Sequence, residues 1–399
     1  MRSFLIFCLF CLVFFSCSLL RQRIEMNRGR AERKVYHDTL AFDYLSDKLI
    51  LPVKIQGKTY RFIYDSGALT VVSKALYRQM DYPVIGTHHF YDVHRNTDTS
   101  RVVRTGQLSL GRVTFTGTPA LVYDLSKLPW SCFEVDGIIG SNMLRNSAIQ
   151  IDLQDSLFIL ANEVEKLDVK QKASYSMKHD HQYTPYFAVK FGHGPSHQVM
   201  FDSGSDVFIN IDRELLASLK ETVKLTRTKT GYGSHNMGVI GSGEKNRVYR
   251  FVLDSLTLAG NPIHQPEIEV TANASRIGSN LLRYGRVTLD YPGERFYFEP
   301  ASSPLTYQDP EGSGLGFSPV VEQDTFRVGL VWQNSLVDSL GLEPGNRILR
   351  INQYNYADSL QQSFCKSFLN NAFRSSKMIE MIYQDEQGNY KRIKIRRKK

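Results

Sequence analysis

Short runs of alternating apolar and polar residues dominate the chain from Leu49 onwards, and Gly, Asn and Asp residues separate them. Alternation with a period of two residues is typical of strands with one buried face. No long segment with a helical period interrupts these runs before the C-terminal third of the chain. The 21 Tyr and 23 Phe residues add to the signal, since aromatic residues are enriched in strands. The pattern therefore predicts a mostly β fold.

The N-terminus differs: an apolar run from Phe4 to Phe15 follows Arg2 and precedes Ser16 and Cys17. This run is too short for a stable membrane-spanning helix but suits the hydrophobic region of a signal peptide. A small residue followed by Cys resembles a bacterial lipoprotein signal with Cys17 as the lipidated residue, and an ordinary secretory signal is the alternative. We expect residues 1–16 to be a signal peptide, and the protein to be exported and lipid-anchored in a bacterial cell envelope.

Two parts of the chain repeat at an almost constant offset. An apolar run ends in Asp65-Ser66-Gly67, and a similar run ends in Asp202-Ser203-Gly204. Downstream, Ile139-Gly140-Ser141-Asn142 is matched by Ile277-Gly278-Ser279-Asn280, and the two offsets differ by one residue. Such self-similarity indicates duplicated structural units. We expect two homologous lobes with a polar tether before them and a linker after them: tether 17–48, lobe one 49–165, lobe two 166–300 and linker 301–313.

The doubled Asp-Ser-Gly motif resembles the catalytic motif of aspartic peptidases, both two-lobed pepsin-like and retropepsin-like. In lobe one it is followed by Ile138-Ile139-Gly140, the apolar-apolar-Gly element of that family. The resemblance spans roughly residues 49–299 and implies two β lobes of the aspartic peptidase fold. It also implies that Asp65 and Asp202 form the catalytic pair, and that their loops are shaped by Ser66, Gly67, Ser203 and Gly204.

Paired carboxylates supply the chemistry that peptide hydrolysis requires without a metal or a covalent nucleophile. One proton shared between the two groups lets the pair activate a water and protonate the leaving amine. Neighbouring like charges cannot both ionise easily, so the pair titrates as a unit and neither Asp is assigned the proton. We therefore expect a peptide or protein substrate, no cofactor and no metal.

Lobe two departs from the family pattern at one position, since its apolar-Gly element reads Arg276-Ile277-Gly278. A cation there either loosens the core of lobe two or lies near the cleft and disturbs the paired carboxylates. We also expect flaps over the cleft at residues 91–101 and 231–243. Tyr91 and Tyr232 are candidate flap aromatics, and exposed hairpin residues are the plainer interpretation.

The C-terminal stretch, residues 314–399, resembles a bacterial PDZ domain. It opens on Gly314-Leu315-Gly316-Phe317 and contains a Gly-Leu-x-Pro-Gly turn before an Arg-Ile-Leu-x-Ile-Asn strand. PDZ domains bind an extended peptide by strand addition and hold its C-terminal carboxylate in a loop. The resemblance implies that Gly316 and Phe317 belong to that loop and that the C-terminus of a peptide is a second ligand.

The remaining cysteines and the charge set limits on partners. Cys132 and Cys365 lie in different predicted units, so we expect two buried thiols rather than a disulfide. The net charge of +9 permits anionic partners. For an exported chain we expect no nucleic-acid partner.

These patterns together predict an exported aspartic endopeptidase whose PDZ-like domain recruits peptides or substrates. The first alternative is a catalytically inactive peptide-binding protein of the same fold. A further alternative is a surface scaffold that acts only through the C-terminal stretch.

Overall fold

The computed structural model describes residues 25–92, 96–169, 174–234, 241, 243–302, 304–307, 315–370, 376 and 378–396. The expected signal peptide and the lipidation site at Cys17 lie outside these residues. Within the described ranges, no helix combines the length and the apolar character that a membrane crossing requires.

Lobe one consists of strands and a few short helices. Its strands are β1 (Arg30–Ala31), β2 (His37–Ala41), β3 (Asp43–Leu45), β4 (Lys48–Ile55), β5 (Lys58–Asp65), β6 (Val71–Ser73), β7 (Val84–Tyr91), β8 (Thr97–Arg104), β9 (Leu108–Leu110), β10 (Val113–Thr116), β11 (Pro119–Tyr123), β12 (Gly137–Gly140), β13 (Ala148–Asp152) and β14 (Leu157–Ala161). Its helices are α1 (Lys74–Met80) and α2 (Ser141–Leu144), with 3₁₀ turns η1 (Trp130–Phe133) and η2 (Val164–Lys166).

Lobe two is built in the same way. Its strands are β15 (Tyr175–His179), β16 (Pro185–Phe191), β17 (Ser196–Asp202), β18 (Ile209–Ile211), β19 (Leu225–Gly233), β20 (Asn246–Leu253), β21 (Ser255–Leu258), β22 (Asn261–His264), β23 (Glu267–Val270), β24 (Arg276–Gly278), β25 (Gly285–Asp290), β26 (Arg295–Pro300) and β27 (Leu305–Thr306). Its helix is α3 (Arg213–Lys220), and η3 (Ser279–Arg283) is a 3₁₀ turn.

The C-terminal unit adds β28 (Phe317–Glu322), β29 (Thr325–Trp332), β30 (Arg347–Ile351), β31 (Tyr354–Asn355), β32 (Met378–Gln384) and β33 (Tyr390–Arg396). Its helices are α4 (Leu336–Ser339) and α5 (Leu360–Leu369). Residues in strands greatly outnumber residues in helices. The sheets curl as in aspartic-peptidase barrels. The predicted mostly β fold is confirmed.

Strand order shows the duplication directly. In lobe one the order is β4-β5-β12-β6-β11-β8-β7. In lobe two the pairings give β16-β17-β24-β18-β23-β20-β19, the same path with each strand replaced by its counterpart. Both arrangements place the strand that ends in Asp beside the strand that ends in Gly, which positions the two motifs alike.

A shared sheet joins the lobes, in the order β2-β14-β13-β25-β26-β15. At its centre Gln150 lies opposite Thr288, and the Gln150 Nε2 donates to the Thr288 Oγ1 at 3.1 Å. Because these two residues occupy equivalent positions of the repeat, the lobes are related by a local twofold axis at this pair. One continuous hydrophobic core runs through both lobes.

The segment expected to be a tether is part of the fold over its described residues. β1 pairs with β10, and β2 pairs with β14 of the shared sheet. Leu40 and Phe42 are buried in the common core. The tether interpretation was wrong here because the charged residues before His37 obscured the alternation that follows them. Likewise, β27 forms within the predicted linker, where it pairs with β22.

The C-terminal unit is fixed to both lobes. β29 pairs with β19 of lobe two, with Tyr232 opposite Val331. On the other side, helix α5 packs against η1 of lobe one, and the rings of Phe133 and Phe368 meet edge to face at 5.7 Å. The unit therefore bridges the two lobes.

A disulfide joins Cys132 of η1 to Cys365 of α5, with Cα atoms 4.9 Å apart. The expectation of two unpaired thiols was therefore wrong. The two cysteines belong to different units, but docking of α5 on η1 brings them into bonding distance.

We expect reduction of this disulfide to destabilise the docked C-terminal unit, because the bond closes a loop of 233 residues. The chain-entropy model puts the upper limit at about 5 kcal/mol for so long a loop. Thermal unfolding of the wild type should shift to lower temperature in dithiothreitol. The Cys132→Ala/Cys365→Ala variant should melt low with or without reductant, and a wild type indifferent to reductant would contradict the expectation.

Candidate active site

Each Asp-Ser-Gly motif begins where a central strand ends. Asp65 is the last residue of β5 and pairs with Gly140 of β12, while Asp202 is the last residue of β17 and pairs with Gly278 of β24. The three residues before each Asp are apolar and mostly buried, so the backbone that carries each carboxyl is fixed by core packing.

The two serines tie the motifs together across the lobe junction. The Ser66 N–H donates to the Ser203 Oγ at 2.9 Å, and the Ser203 N–H donates to the Ser66 Oγ at 3.0 Å. Each hydroxyl also donates to a carbonyl of the opposite lobe, Ser66 to Phe201 at 2.9 Å and Ser203 to Tyr64 at 3.2 Å. Both serines are fully buried, so this network holds the two loops rigidly.

The two glycines let the carboxyls come close. The Gly67 N–H donates to Asp65 Oδ1 at 2.8 Å, and the Gly204 N–H donates to Asp202 Oδ1 at 3.1 Å. A β-carbon added to Gly67 would lie 2.8 Å from the Asp202 Cγ, and one added to Gly204 would overlap the Asp65 carboxyl. Each carboxyl therefore lies against the glycine of the other motif.

The carboxyl groups of Asp65 and Asp202 interact directly. Burial, the negative charge of Asp202 and a hydrogen bond with its carboxyl together raise the pKa of Asp65 to about 7. The Gly67 N–H and the charge of Lys48 act in the opposite direction. Asp65 therefore keeps its proton at acid pH and loses it near neutrality.

Lys48 is a feature that the sequence did not reveal. It lies at the start of β4 in lobe one, and its Nζ donates to the Gly204 carbonyl oxygen in lobe two. Its charge therefore lies at the junction between the lobes, near the pair. A single Lys before an apolar strand carries no signal of this role, because its partner is far away in the sequence.

Arg276 lies beside the pair, which decides between the two alternatives left open for it. It is buried, and its guanidinium NH1 forms an ion pair with Asp202 Oδ2 at 3.1 Å. Its Nε donates to the Ala274 carbonyl at 3.3 Å. Arg276 is thus buried within lobe two, and it is a direct cationic partner of Asp202.

The β7–β8 and β19–β20 hairpins, which the sequence predicts as flaps, contact each other. At the tip of the β7–β8 hairpin, Asp92 accepts hydrogen bonds from Asn96. Asp92 Oδ2 also accepts from the Gly241 N–H of the β19–β20 hairpin at 3.3 Å. Asp92 is buried, and it is a further contact that the sequence did not indicate.

The candidate flap aromatics have different positions. Tyr91 is the last residue of β7, next to Asp92. Tyr232 is 48% exposed in β19, and its backbone lies between β20 and β29. Tyr232 is therefore held in a three-strand arrangement. The flap roles of both residues stay predictions.

In the C-terminal unit, Phe317 is the first residue of β28 and Gly316 lies directly before it. Gly316 has a φ of +78°, and its carbonyl accepts from the Trp332 N–H at 2.9 Å. Phe317 is 5% exposed and packs in the core of the unit. Their assignment to a carboxylate-binding loop stays a prediction. Among the described residues, no cluster of three or more His, Cys, Asp or Glu side chains is arranged to hold a metal.

Part of lobe one is similar to a known protein family. The family model for aspartyl protease matches residues 51–143, which contain the first Asp-Ser-Gly and its apolar-Gly element. A search of curated proteins finds no match. Basic 7S globulin from soybean is a similar structure at 10% identity and a TM-score of 0.41, covering 68% of this chain and 96% of its own. A retropepsin-like aspartic protease from Rickettsia conorii has 17% identity and a TM-score of 0.24, covering 33% of this chain and 94% of its own.

The family match, the strand order and the paired motifs together show an aspartic-peptidase-like fold. The family match is confined to lobe one, and lobe two repeats its strand path.

We expect Gly204→Ala to disrupt the paired motifs, because the added methyl group would overlap the Asp65 carboxyl. The cost in unfolding free energy should be about 1–3 kcal/mol, as for other overpacked sites. Gly86→Ala is the matched control, since a β-carbon there meets no atom within 4 Å. Urea unfolding measures both, and equal stability of the two variants would contradict the packing described here.

Proposed function

We propose that this protein is an aspartic-type endopeptidase that hydrolyses peptide bonds through a water activated by Asp65 and Asp202. The observation that carries the proposal is the direct interaction of these two carboxyls, each packed against the glycine of the other motif. Carboxyls from two lobes rarely meet in this way for structural reasons alone, because like charges at close range destabilise the fold unless they share a proton.

In the proposed reaction, a water between the carboxyls attacks the scissile carbonyl carbon. The ionised carboxyl takes a proton from the water, and the protonated carboxyl gives its proton to the carbonyl oxygen. When the C–N bond breaks, the leaving amine takes a proton from the first carboxyl and the second recovers its own from the collapsing intermediate. The pair returns to its starting state with one proton, so no cofactor enters the balance.

The flap contact supports this proposal. A substrate in the cleft needs to be held in extended form and shielded from bulk water. The hairpins that meet at Asp92 and Gly241 are suited to close over a bound peptide. Opening this contact would admit the substrate.

A catalytically inactive peptide-binding protein is the second candidate, and the ion pair between Arg276 and Asp202 favours it. A cation bonded to one carboxyl withdraws part of the charge that activates water. This candidate requires peptide binding with no turnover at any pH between ~3 and 8, the span over which a coupled carboxyl pair titrates.

We further propose that the C-terminal unit recruits peptides in the manner of a PDZ domain. The supporting observations are the Gly-Leu-Gly-Phe sequence, whose last residue begins β28, and the following order of strands and helices. Because the unit is bonded to both lobes, a peptide on it would be held at a constant distance from Asp65 and Asp202.

Export to the cell envelope, with a lipid anchor at Cys17, is also proposed. The disulfide between Cys132 and Cys365 supports export, since such bonds persist in oxidising compartments. The apolar N-terminal run that ends before Cys17 is the other support.

We expect Asp65→Asn and Asp202→Asn each to lower peptide cleavage by ~10²-fold or more, because each removes half of the shared-proton pair. Cleavage of a mixture of synthetic peptides, followed by mass spectrometry, measures this. Asp43→Asn is the matched control, since that carboxylate is 67% exposed and pairs with Arg61 at the surface. Full cleavage by either active-site variant would overturn the proposal, provided circular dichroism shows native folding.

The pH profile should show an alkaline limb near neutrality. Activity needs the proton on the pair, and the pKa of Asp65 is raised to about 7. As the pH rises through 7 this proton is lost, so kcat/KM should fall about tenfold per pH unit beyond it. A quenched fluorescent peptide of a cleaved sequence measures the profile. Activity that increases from pH 7 to pH 9 would contradict this account of the pair.

A further inference from the structure

One row of residues across five neighbouring strands differs sharply in polarity between the two lobes. In lobe one the residues that lie opposite each other on five neighbouring strands are all apolar and buried: Val102, Leu121, Val71, Ile138 and Ile63. In lobe two the same pairings align Arg250, Glu269, Asn210, Arg276 and Met200. Apart from Met200, the lobe-two residues of the row are polar yet as deeply buried as their apolar counterparts.

This row lies on the face of the sheet that carries the catalytic carboxyls. Alternate residues of a strand point to the same side. Ile63 and Met200 each precede an active-site Asp by two positions in their strands, so each row ends beside its carboxyl. Arg276 is therefore the counterpart of Ile138, placed one strand away from Asp202 on the same face.

Each arginine of this row forms an ion pair with a neighbouring carboxylate. Arg250 contacts Glu269 at 3.3 Å, and the Trp332 ring of the C-terminal unit covers its guanidinium at 4.7 Å. Asn210 separates Glu269 from Arg276. Arg276 then bonds Asp202, which lies beyond the end of the row. Asp202 is thus the acidic group that neutralises Arg276.

The ion pair uses one oxygen of Asp202 and leaves the other oxygen available to a water between the carboxyls. Arg276 bonds Oδ2, while Oδ1 accepts from the Gly204 N–H and is the oxygen nearer to Gly67. The arginine therefore fixes the orientation of the carboxyl without covering the oxygen that faces the other motif.

Other charged and titratable groups around the pair do not reproduce this asymmetry. Lys48 approaches from lobe one and its charge opposes the raised pKa of Asp65, but its hydrogen bond goes to the Gly204 carbonyl rather than to a carboxyl. Tyr64 lies behind Asp65, and burial raises the pKa of its hydroxyl well above the ordinary value, so it stays neutral. Tyr291 is also buried and neutral, and it hydrogen-bonds Ser141. Arg276 is the cation bonded directly to a carboxyl of the pair among these groups.

We propose that Arg276 is a positioning residue that holds Asp202 as the charged member of the pair, so that the shared proton resides on Asp65. This inference rests on the peptidase function proposed above. In the reaction, Asp202 then takes the proton from water and Asp65 gives its proton to the carbonyl oxygen. The pair is unsymmetrical before substrate binds, although the two lobes are built alike.

The variant Arg276→Ile tests this, because it gives lobe two the residue that lobe one has at Ile138. Without the cation, the pair should lose its first proton at a pH higher by about 1–3 units. The acid limb of kcat/KM should move up accordingly, with a fall of roughly tenfold or more at a pH on the wild-type acid limb. Arg276→Lys should keep a limb close to the wild type.

Arg227→Gln is the matched control, because Arg227 is an exposed arginine of lobe two whose guanidinium lies over the Tyr249 ring. Its profile should match the wild type. If Arg276→Ile does not fold, Arg276→Gln takes its place. A profile of the Arg276 variant that superimposes on the wild type would overturn the inference. Higher activity at every pH would also overturn it, because Arg276 would then block the pair.

A readout without substrate separates this inference from the proposed function. Carboxyl ¹³C signals of Asp65 and Asp202, assigned through the two Asn variants, are followed against pH. In the wild type the Asp202 signal should change in the acid step and the Asp65 signal in the later step. In Arg276→Ile both signals should change in both steps. This result supports the assignment even if no peptide is cleaved, whereas identical titrations in both proteins would refute it.

Discussion

The reciprocal hydrogen bonds between Ser66 and Ser203 are the constraint on which the rest of the site depends. They join two loops from different lobes by backbone N–H groups and buried hydroxyls, so neither loop can move alone. The carboxyls on either side are then forced together, and the glycines give them the space to approach. A half-satisfied network at this depth would be costly, which makes the junction a cooperative unit.

Duplication explains the shared backbone, and departures from it explain the different surroundings of the two carboxyls. Both lobes follow one strand path, and Gln150 and Thr288 mark the twofold axis between them. A fully symmetrical pair would have no reason to place its proton on one carboxyl. Lobe two breaks the symmetry with a polar row that ends in Arg276, and the C-terminal unit covers the other end of that row with Trp332.

The sequence predicted the lobes and both Asp-Ser-Gly motifs because a repeat is visible without any knowledge of three-dimensional contacts. It left the position of Arg276 open, since only strand register shows that this residue faces Asp202 rather than the core. It missed Lys48 and the Cys132–Cys365 disulfide because each depends on a partner more than 150 residues away. Strands β1 and β2 were missed because they pair with distant strands rather than in a local hairpin.

The central claim is that Asp65 and Asp202 act together on one substrate carbonyl. The most direct test is a crystal structure with a peptide whose scissile amide is replaced by a secondary alcohol, which imitates the tetrahedral intermediate. The account predicts that this hydroxyl lies within about 2.5–3.0 Å of both carboxyls, with Arg276 still bonded to Asp202. A hydroxyl bound away from the pair, or in contact with only one carboxyl, would contradict it.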